Sequence, residues 1–270
     1  LTSDTKGQRN VAIGHGSLVT QNFTSATNSY NTAVGYNSGN AITTGNENTL
    51  IGGLAGDALT VGFANIALGT NALGSDTQGS RSVAIGKSAL ATQNFTSATN
   101  AYNVAVGENA GLSVTTGVQN TLIGSLAGDA ITEAGFNTAV GMFSLSQNTL
   151  GSKNTALGYA ALSAFNATSA ADTYNTAVGS GAGAALTTGT QNTLIGGLSA
   201  DATTTGANNT ALGYLSLSAN TTGSGNIALG KAALESNTTA DNNTAVGKDS
   251  LRLNTTGTQN TAVGSLSLDA

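Results

Sequence analysis

The sequence predicts an all-β, repetitive parallel β-solenoid, a β-roll or β-helix of about fifteen coils of 17 or 21 residues. Three observations lead there. The five-residue core Asn31-Thr32-Ala33-Val34-Gly35 returns in fifteen copies, which begin at Asn10, Asn31, Asn48, Asn65, Ser82, Asn103, Asn120, Asn137, Asn154, Asn175, Asn192, Asn209, Asn226, Asn243 and Asn260. The intervals run 21, 17, 17, 17 and then repeat, so a 72-residue unit starting at Asn10, Ser82, Asn154 and Asn226 overlies the short period, and the last unit drops its long coil. A fixed short period is the signature of stacked coils. Third, the 270 residues are 39% apolar but only 4% aromatic and 8% charged. That is unlike a globular enzyme, and regular apolar columns are unlike disorder. Residues 1–9 read as a lead-in and residues 10–270 as one repeat domain.

Each core reads as a short strand. Its third residue is Ala in twelve coils and Leu in three (Leu50, Leu122, Leu194), and its fourth is always Val, Ile or Leu. Side chains alternate between faces along a strand, so neighbouring apolar positions such as Ala33-Val34, Ala105-Val106 and Ala177-Val178 predict burial on both faces. One face fills the chain's own coil. The other needs a partner, and with no helical pattern to cover it that partner is a copy of the same chain; the small Ala column is expected to permit the close approach.

The fifth core residue is Gly in all fifteen copies, including Gly35, Gly107 and Gly179, which predicts a backbone bend or a contact too tight for a Cβ. The Ala/Ser-Leu pairs that follow, such as Ala72-Leu73 and Ala161-Leu162, read as a second short strand. Where the core carries Leu, this second column holds Gly56, Gly128 or Ala200, so large is exchanged for small; Gly39, Gly111 and Gly183 then need a Leu from the next coil. The Thr-Thr-Gly triplets (Thr43-Thr44-Gly45, Thr115-Thr116-Gly117, Thr187-Thr188-Gly189) mark corners at which Gly is expected to take a positive φ. The leading Asn of each core, as at Asn31, Asn103 and Asn175, either forms an amide ladder along the stack or caps its own turn. Proline is absent, as a continuous ladder requires.

The long coils carry four extra residues and are enriched in rings: Phe23 and Tyr30, Phe95 and Tyr102, Phe165 and Tyr174. Insertions in a solenoid form loops on one face, often a binding face. These six are candidate surface-contact residues, and the alternative is that the rings pin the loop to the stack or to a neighbouring subunit.

Other chemistry is sparse. The net charge of −5 comes with no Lys/Arg cluster, which argues against nucleic acid or an anionic membrane. No run of about 18 apolar residues exists to cross a membrane as a helix, and without Cys the redox compartment is not readable. The opening Leu1-Thr2-Ser3 suggests a mature piece or a fragment. His15, the lone histidine, reads as a surface residue. Asp57, Asp129 and Asp201 recur once per 72-residue unit but read as turn residues, and Glu47, Glu108 and Glu133 keep no common register with them. No metal-ligand or cofactor motif is present, Gly179-Ser180-Gly181-Ala182-Gly183 is a Gly-rich run within an ordinary repeat, and the Asn-x-Thr triplets at Asn22, Asn94, Asn166, Asn220, Asn237 and Asn254 are what an Asn/Thr-rich composition supplies. The sequence is therefore read as that of a non-enzyme.

The cores Asn10-Val11-Ala12-Ile13-Gly14, Asn31-Thr32-Ala33-Val34-Gly35 and Ser82-Val83-Ala84-Ile85-Gly86, each followed by two variable residues and Ala/Ser-Leu/Gly, resemble head repeats of trimeric autotransporter adhesins. They look equally like the Asn-Thr-Ala-Val-Gly repeats of bacteriophage tail fibres and other virion structural proteins. The match covers residues 10–270. It implies a parallel β-roll or β-helix, three chains about a threefold axis, an extracellular or virion-surface location, and attachment to a cell-surface glycan or protein receptor. The adhesin heads use a shorter repeat, and the neck, stalk and anchor patterns of that family are not seen here, which favours the fibre. Two further readings are an ice-binding solenoid, since Thr fills the second core position in ten coils, and a polysaccharide-cleaving spike working through Asp57, Asp129 and Asp201.

Overall fold

A computed structural model describes Leu1 and residues 3–269. It contains strands and turns, with no helix among the described residues. The chain divides into two compact units, Leu1–Gly135 and Phe136–Ala270, at a point where the repeat itself continues without a change of period.

In the first unit the strands are β1 (Gly7–Gln8), β2 (Val11–Ile13), β3 (Thr27–Asn28), β4 (Thr32–Val34), β5 (Thr49–Ile51), β6 (Ile66–Leu68), β7 (Gly79–Ser80), β8 (Val83–Ile85), β9 (Thr99–Asn100), β10 (Val104–Val106) and β11 (Thr121–Ile123). In the second they are β12 (Thr138–Val140), β13 (Gly151–Ser152), β14 (Thr155–Leu157), β15 (Ala171–Asp172), β16 (Thr176–Val178), β17 (Thr193–Ile195), β18 (Thr210–Leu212), β19 (Ile227–Leu229), β20 (Thr244–Val246) and β21 (Thr261–Val263). Every three-residue core is a strand, and within each unit successive cores pair in parallel and in register, as in Thr32↔Thr49, Ala33↔Leu50 and Val34↔Ile51. The two-residue strands belong to the long coils and pair as β1–β3, β7–β9 and β13–β15. Within the lead-in, Gly7 and Gln8 pair with Thr27 and Asn28 of the first long coil.

The faces of the core strand are assigned the other way round from expectation. The Ala/Leu column points inward: Ala33, Leu50, Ala67, Ala84, Ala105, Leu122, Ala139 and Ala177 are fully buried. The second and fourth residues point outward, and Ile13, Leu68, Leu157, Leu212 and Val263 are exposed. The physical reason is the thin interior. Opposite Ala sits a column of Leu18, Leu73, Leu90, Leu145, Leu162, Leu217 and Leu234, each buried, and only a methyl group fits between. Where Leu50 takes the inner position, the facing residues shrink: a Cβ on Gly39 or Gly56 would lie 2.8 Å from a Leu50 Cδ atom, and one on Gly111 or Gly128 would lie 2.7 Å from Leu122. The exchange between Gly39, Gly111 or Gly183 and the Leu of the next coil is thus seen directly.

A third interior column was not recognised in the sequence. In coils with Gly at the facing position it holds Ile42, Leu59, Val114, Ile131 and Leu186; in coils with Leu there it holds a polar side chain such as Asp76, Gln93, Asn148, Asn220 or Asn237, with Phe165 beside Leu162 the exception, all buried. Most of these coils exchange bulk between the two columns, as close-packed interiors favour.

The segment after the Gly bend is a turn, not a second strand. Its two alternate positions are left-handed, for instance Asn71 (φ 59°) and Leu73 (φ 54°), or Ser88 (φ 56°) and Leu90 (φ 50°). Such φ values are costly for a Leu and persist because each residue is fixed by its neighbours: Leu73 N–H donates to Ala89 O at 3.0 Å and Asn71 N–H to Gly53 O at 3.0 Å. The Thr-Thr-Gly expectation is also corrected. Gly45, Gly117 and Gly189 do not have positive φ; they are Gly because a Cβ would run into the carbonyl oxygen of Gly62, Ala134 or Gly206 in the adjoining coil. The left-handed residue is the one just before each core, such as Tyr30 (φ 50°) or Glu47 (φ 58°).

The core Asn serves both of the roles its sequence left open. Asn48 Nδ2 donates to Gly62 O at 3.0 Å within its own coil, and Asn48 Oδ1 accepts Asn65 N–H of the next coil at 3.0 Å. The Thr column adds a second ladder, Thr187 Oγ1 to Thr204 O and Thr204 Oγ1 to Thr221 O, each 3.0 Å.

Candidate functional site

Two exposed surfaces among the described residues bear on function. The first is the outer face of the core strands, a column of Thr, Val or Ile beside a column of Val, Ile or Leu. None of the chain's 8 basic and 13 acidic residues stands in either column. Val34, Val106 and Val178 lie here, half-buried among their neighbours along the ladder, whereas Ile13 is 59% and Val263 70% exposed.

The second is the corner built by the extra residues of each long coil. The short strand pairs set Gln8 beside Asn28, Ser80 beside Asn100 and Ser152 beside Asp172. The next residue along in each lower strand is a cation: Arg9, Arg81 or Lys153. Each cation meets the tyrosine of the following coil. Arg9 lies 5.4 Å from the Tyr30 ring centroid and donates to the Tyr30 hydroxyl. Arg81 lies 5.6 Å from the Tyr102 centroid, donates to the Tyr102 hydroxyl at 2.5 Å, and is also 5.3 Å from the Phe63 centroid. Lys153 Nζ lies 5.3 Å from the Tyr174 centroid and pairs with Asp172 at 2.6 Å. The hydrogen bond to Asp172 raises the Lys153 pKa, and the same bond lowers that of Asp172.

The six candidate rings therefore divide. Tyr30, Tyr102 and Tyr174 are about half exposed (47%, 45% and 50%). Phe23, Phe95 and Phe165 are buried, so for these three the expected surface contact is replaced by the alternative, pinning the loop onto the stack.

Beneath the corner sits a buried polar cluster. Asp76 accepts from Gln93 Nε2 at 2.6 Å, Gly79 N at 2.9 Å and Phe95 N at 3.2 Å, while Gln93 Oε1 accepts from Asn103 Nδ2 at 2.8 Å. In the following 72-residue unit the same places hold Asn148, Phe165 and Ala167, with Asn154 in place of Ser82. Burial pushes the Asp76 carboxyl above the usual carboxylate range, against the lowering effect of its hydrogen bonds. Its folded pKa exceeds its unfolded value, so its contribution to stability is complete below about 3.8 and is lost as pH rises through the folded pKa. The single change Asp76→Asn strands Gln93 Nε2 without its charged acceptor and is expected to cost about 1–3 kcal/mol. The fourfold exchange D76N/S82N/Q93F/F95A installs the later unit's own solution. It is expected to recover most of that loss and to flatten the decline above pH 3.8, measured by denaturant unfolding across pH.

The remaining sequence candidates are placed as follows. His15 stacks on Tyr36 with centroids 5.8 Å apart. Asp57, Asp129 and Asp201 are half-buried, and burial raises the pKa of each; within the first unit Asp57 and Asp129 are four coils apart, about 19 Å at ~4.8 Å per rung, too far for one glycosidase pair. Asn22, Asn94 and Asn166 are exposed, whereas Asn220 and Asn237 are buried. Among the described residues no group of His, Cys, Asp and Glu is arranged to hold a metal ion, and no helix is long and apolar enough to cross a membrane. No family model matches this chain, and no curated protein or solved structure matches it at a significant level.

Proposed function

We propose that this chain is a structural and adhesive segment of an extracellular or virion-surface fibre, most like that of a phage tail fibre, in which three copies pack through the outer faces of their core strands. The observation that carries the reading is the uncharged outer face: two adjacent columns, one of them entirely Val, Ile or Leu, in a chain whose charged residues all stand elsewhere. An uncharged strip with one wholly apolar column is a surface suited to association, and repetition in register presents the same strip on each copy. The number three comes from the resemblance of the repeats to adhesin heads and tail fibres. An adhesin head would use the same assembly.

Light scattering at neutral pH, without cross-linker, is expected to give the mass of three chains. Replacing Leu68 and Ile123, both exposed in the outer column, with Asp places charges that an apolar interface cannot solvate. The double variant is expected to run as a monomer with an unchanged β-sheet circular dichroism spectrum. A wild-type monomer removes the fibre reading and favours the ice-binding one, for which the Thr column of β14, β16, β17 and β18 (Thr155, Thr176, Thr193 and Thr210) is the motivating feature and thermal hysteresis the measurement.

A further inference from the structure

We infer that the long-coil corners at Arg9 and Arg81 are two binding sites for a saccharide chain bearing carboxylate or sulfate groups, and that the third corner, at Lys153, is closed by its own aspartate. The inference rests on the attachment reading above and names the ligand class and the residues that would receive it.

The three corners share one construction and differ in charge. At the first two, a guanidinium sits against an exposed tyrosine, and the neighbouring position on the short strand is an amide, Asn28 or Asn100. Neither Arg9 nor Arg81 has an ion-pair partner among the described residues. One guanidinium nitrogen is engaged by the tyrosine hydroxyl. That bond fixes the plane of the group and leaves its other N–H donors free for the bidentate grip on a carboxylate or sulfate that suits arginine. The exposed tyrosine ring offers an apolar face for the C–H face of a pyranose, and the Asn amide offers a donor and an acceptor for a hydroxyl. At the third corner Asp172 stands where the others have Asn, and its ion pair with Lys153 fills the anion position.

The two open sites are not equal. Arg81 is flanked by Phe63 as well as Tyr102, and the residue following Tyr102 in the column before the cores is neutral Gln119. The residue following Tyr30 in that column is Glu47, exposed and negative, which repels an anion at the first site. The Arg81 site is therefore the stronger. The sites are four coils apart, about 19 Å at ~4.8 Å per rung, so one extended chain with intermittent charges reaches both and gains by the linkage. A nucleic acid strand would also set phosphates against Glu47, whereas the exposed tyrosine face and the Asn amide beside each guanidinium suit the C–H face and hydroxyls of a pyranose, which favours the saccharide.

The test is calorimetric titration of the assembled protein at low salt with four probes: an oligogalacturonate, a sulfated galactan oligosaccharide, a neutral dextran oligomer, and an oligothymidylate. Binding of the uronate or the sulfated probe, weakened by added salt, is expected, and which of the two binds better identifies the charged group. Arg81→Ala is expected to weaken binding by at least about tenfold, Arg9→Ala by less, and Lys153→Ala not at all. Asp172→Asn opens the third corner and is expected to raise the number of sites per chain from two to three, a gain that mere damage to the fold would not produce; Glu47→Gln is expected to tighten the weaker site. Binding unchanged in R9A/R81A, no binding of either charged saccharide at millimolar concentration, or tighter binding of the oligothymidylate would each overturn the proposal. A protein that is trimeric but does not bind loses this inference alone, whereas one that binds as a monomer loses the fibre and keeps the sites.

Discussion

Gly52→Ala is expected to destabilise the first unit by about 4 kcal/mol, while Gly53→Ala, one residue later, changes stability by less than about 1 kcal/mol. Gly52 has φ +134°, and a Cβ there would sit 2.5 Å from the Gly69 carbonyl oxygen and 2.6 Å from its carbon. Two costs add. A side chain at such a φ costs about 1–3 kcal/mol, and forcing an extra atom against packed backbone costs about 1–3 kcal/mol more. The Gly69 backbone cannot move aside alone, because Gly69 N–H is held by Ile51 O at 2.8 Å and the same bend recurs in each coil of the unit. Gly53 has no positive φ and nothing within 4 Å of a Cβ, so Ala there chiefly restricts the unfolded chain. Thermal melts of the two variants against wild type decide the matter. Equal melting points would mean that the Gly column is compositional and not steric.

Asn192→Ala is expected to cost about 3–5 kcal/mol, from at least two buried backbone groups left unpaired at about 1–3 kcal/mol each plus the lost amide ladder. Asn192 Oδ1 accepts Asn209 N–H at 3.0 Å, and its Nδ2 donates to Gly206 O at 3.0 Å and to Asn175 Oδ1 at 3.2 Å. No water reaches these groups, because Asn175, Asn192 and Asn209 are all essentially fully buried. In a stack whose coils contact only their neighbours, the damage is local. Hydrogen exchange is therefore the measurement: the Asn209 amide is expected to lose protection strongly, while amides three or more coils away keep theirs. Protection lost evenly along the second unit would show that the ladder acts cooperatively over a longer range.

One core, at Ser82, lacks the leading Asn. Ser82 replaces Asn at the start of a core, and there Gln93 reaches in: its Nε2 donates to Ser82 Oγ at 3.1 Å and its Oε1 accepts from Asn103 Nδ2 at 2.8 Å. Gln21 makes the same bond to Asn31 Nδ2, at 2.9 Å, in a coil that begins with an intact Asn10, so this Gln is a feature of the long coil and not a replacement for the missing amide.

By itself the sequence determined the repeat, the number of coils, the strand in each core and the exchange of Leu for Gly between facing columns. These follow because period and side-chain volume are one-dimensional quantities that the chain writes in order. It also marked the long coils as the places where something is added. Only the tertiary structure decided which way each side chain points. Adjacent apolar residues such as Ala33-Val34 fit an inward Ala or an inward Val equally well, and the interior width, set by Leu18, Leu73 and Leu90 across the coil, chose Ala. Left-handed turns at Leu73 and Leu90 read as strand because their Ala-Leu pairs are apolar, and the φ that curls them comes from the hydrogen bonds of the coils above and below. Phe and Tyr look alike as ring residues in a loop. Burial separated them, drawing Phe23, Phe95 and Phe165 into the stack and leaving Tyr30, Tyr102 and Tyr174 beside their cations. Those pairings join residues 21 apart, such as Arg81 and Tyr102, and exist only because one coil lies on the next.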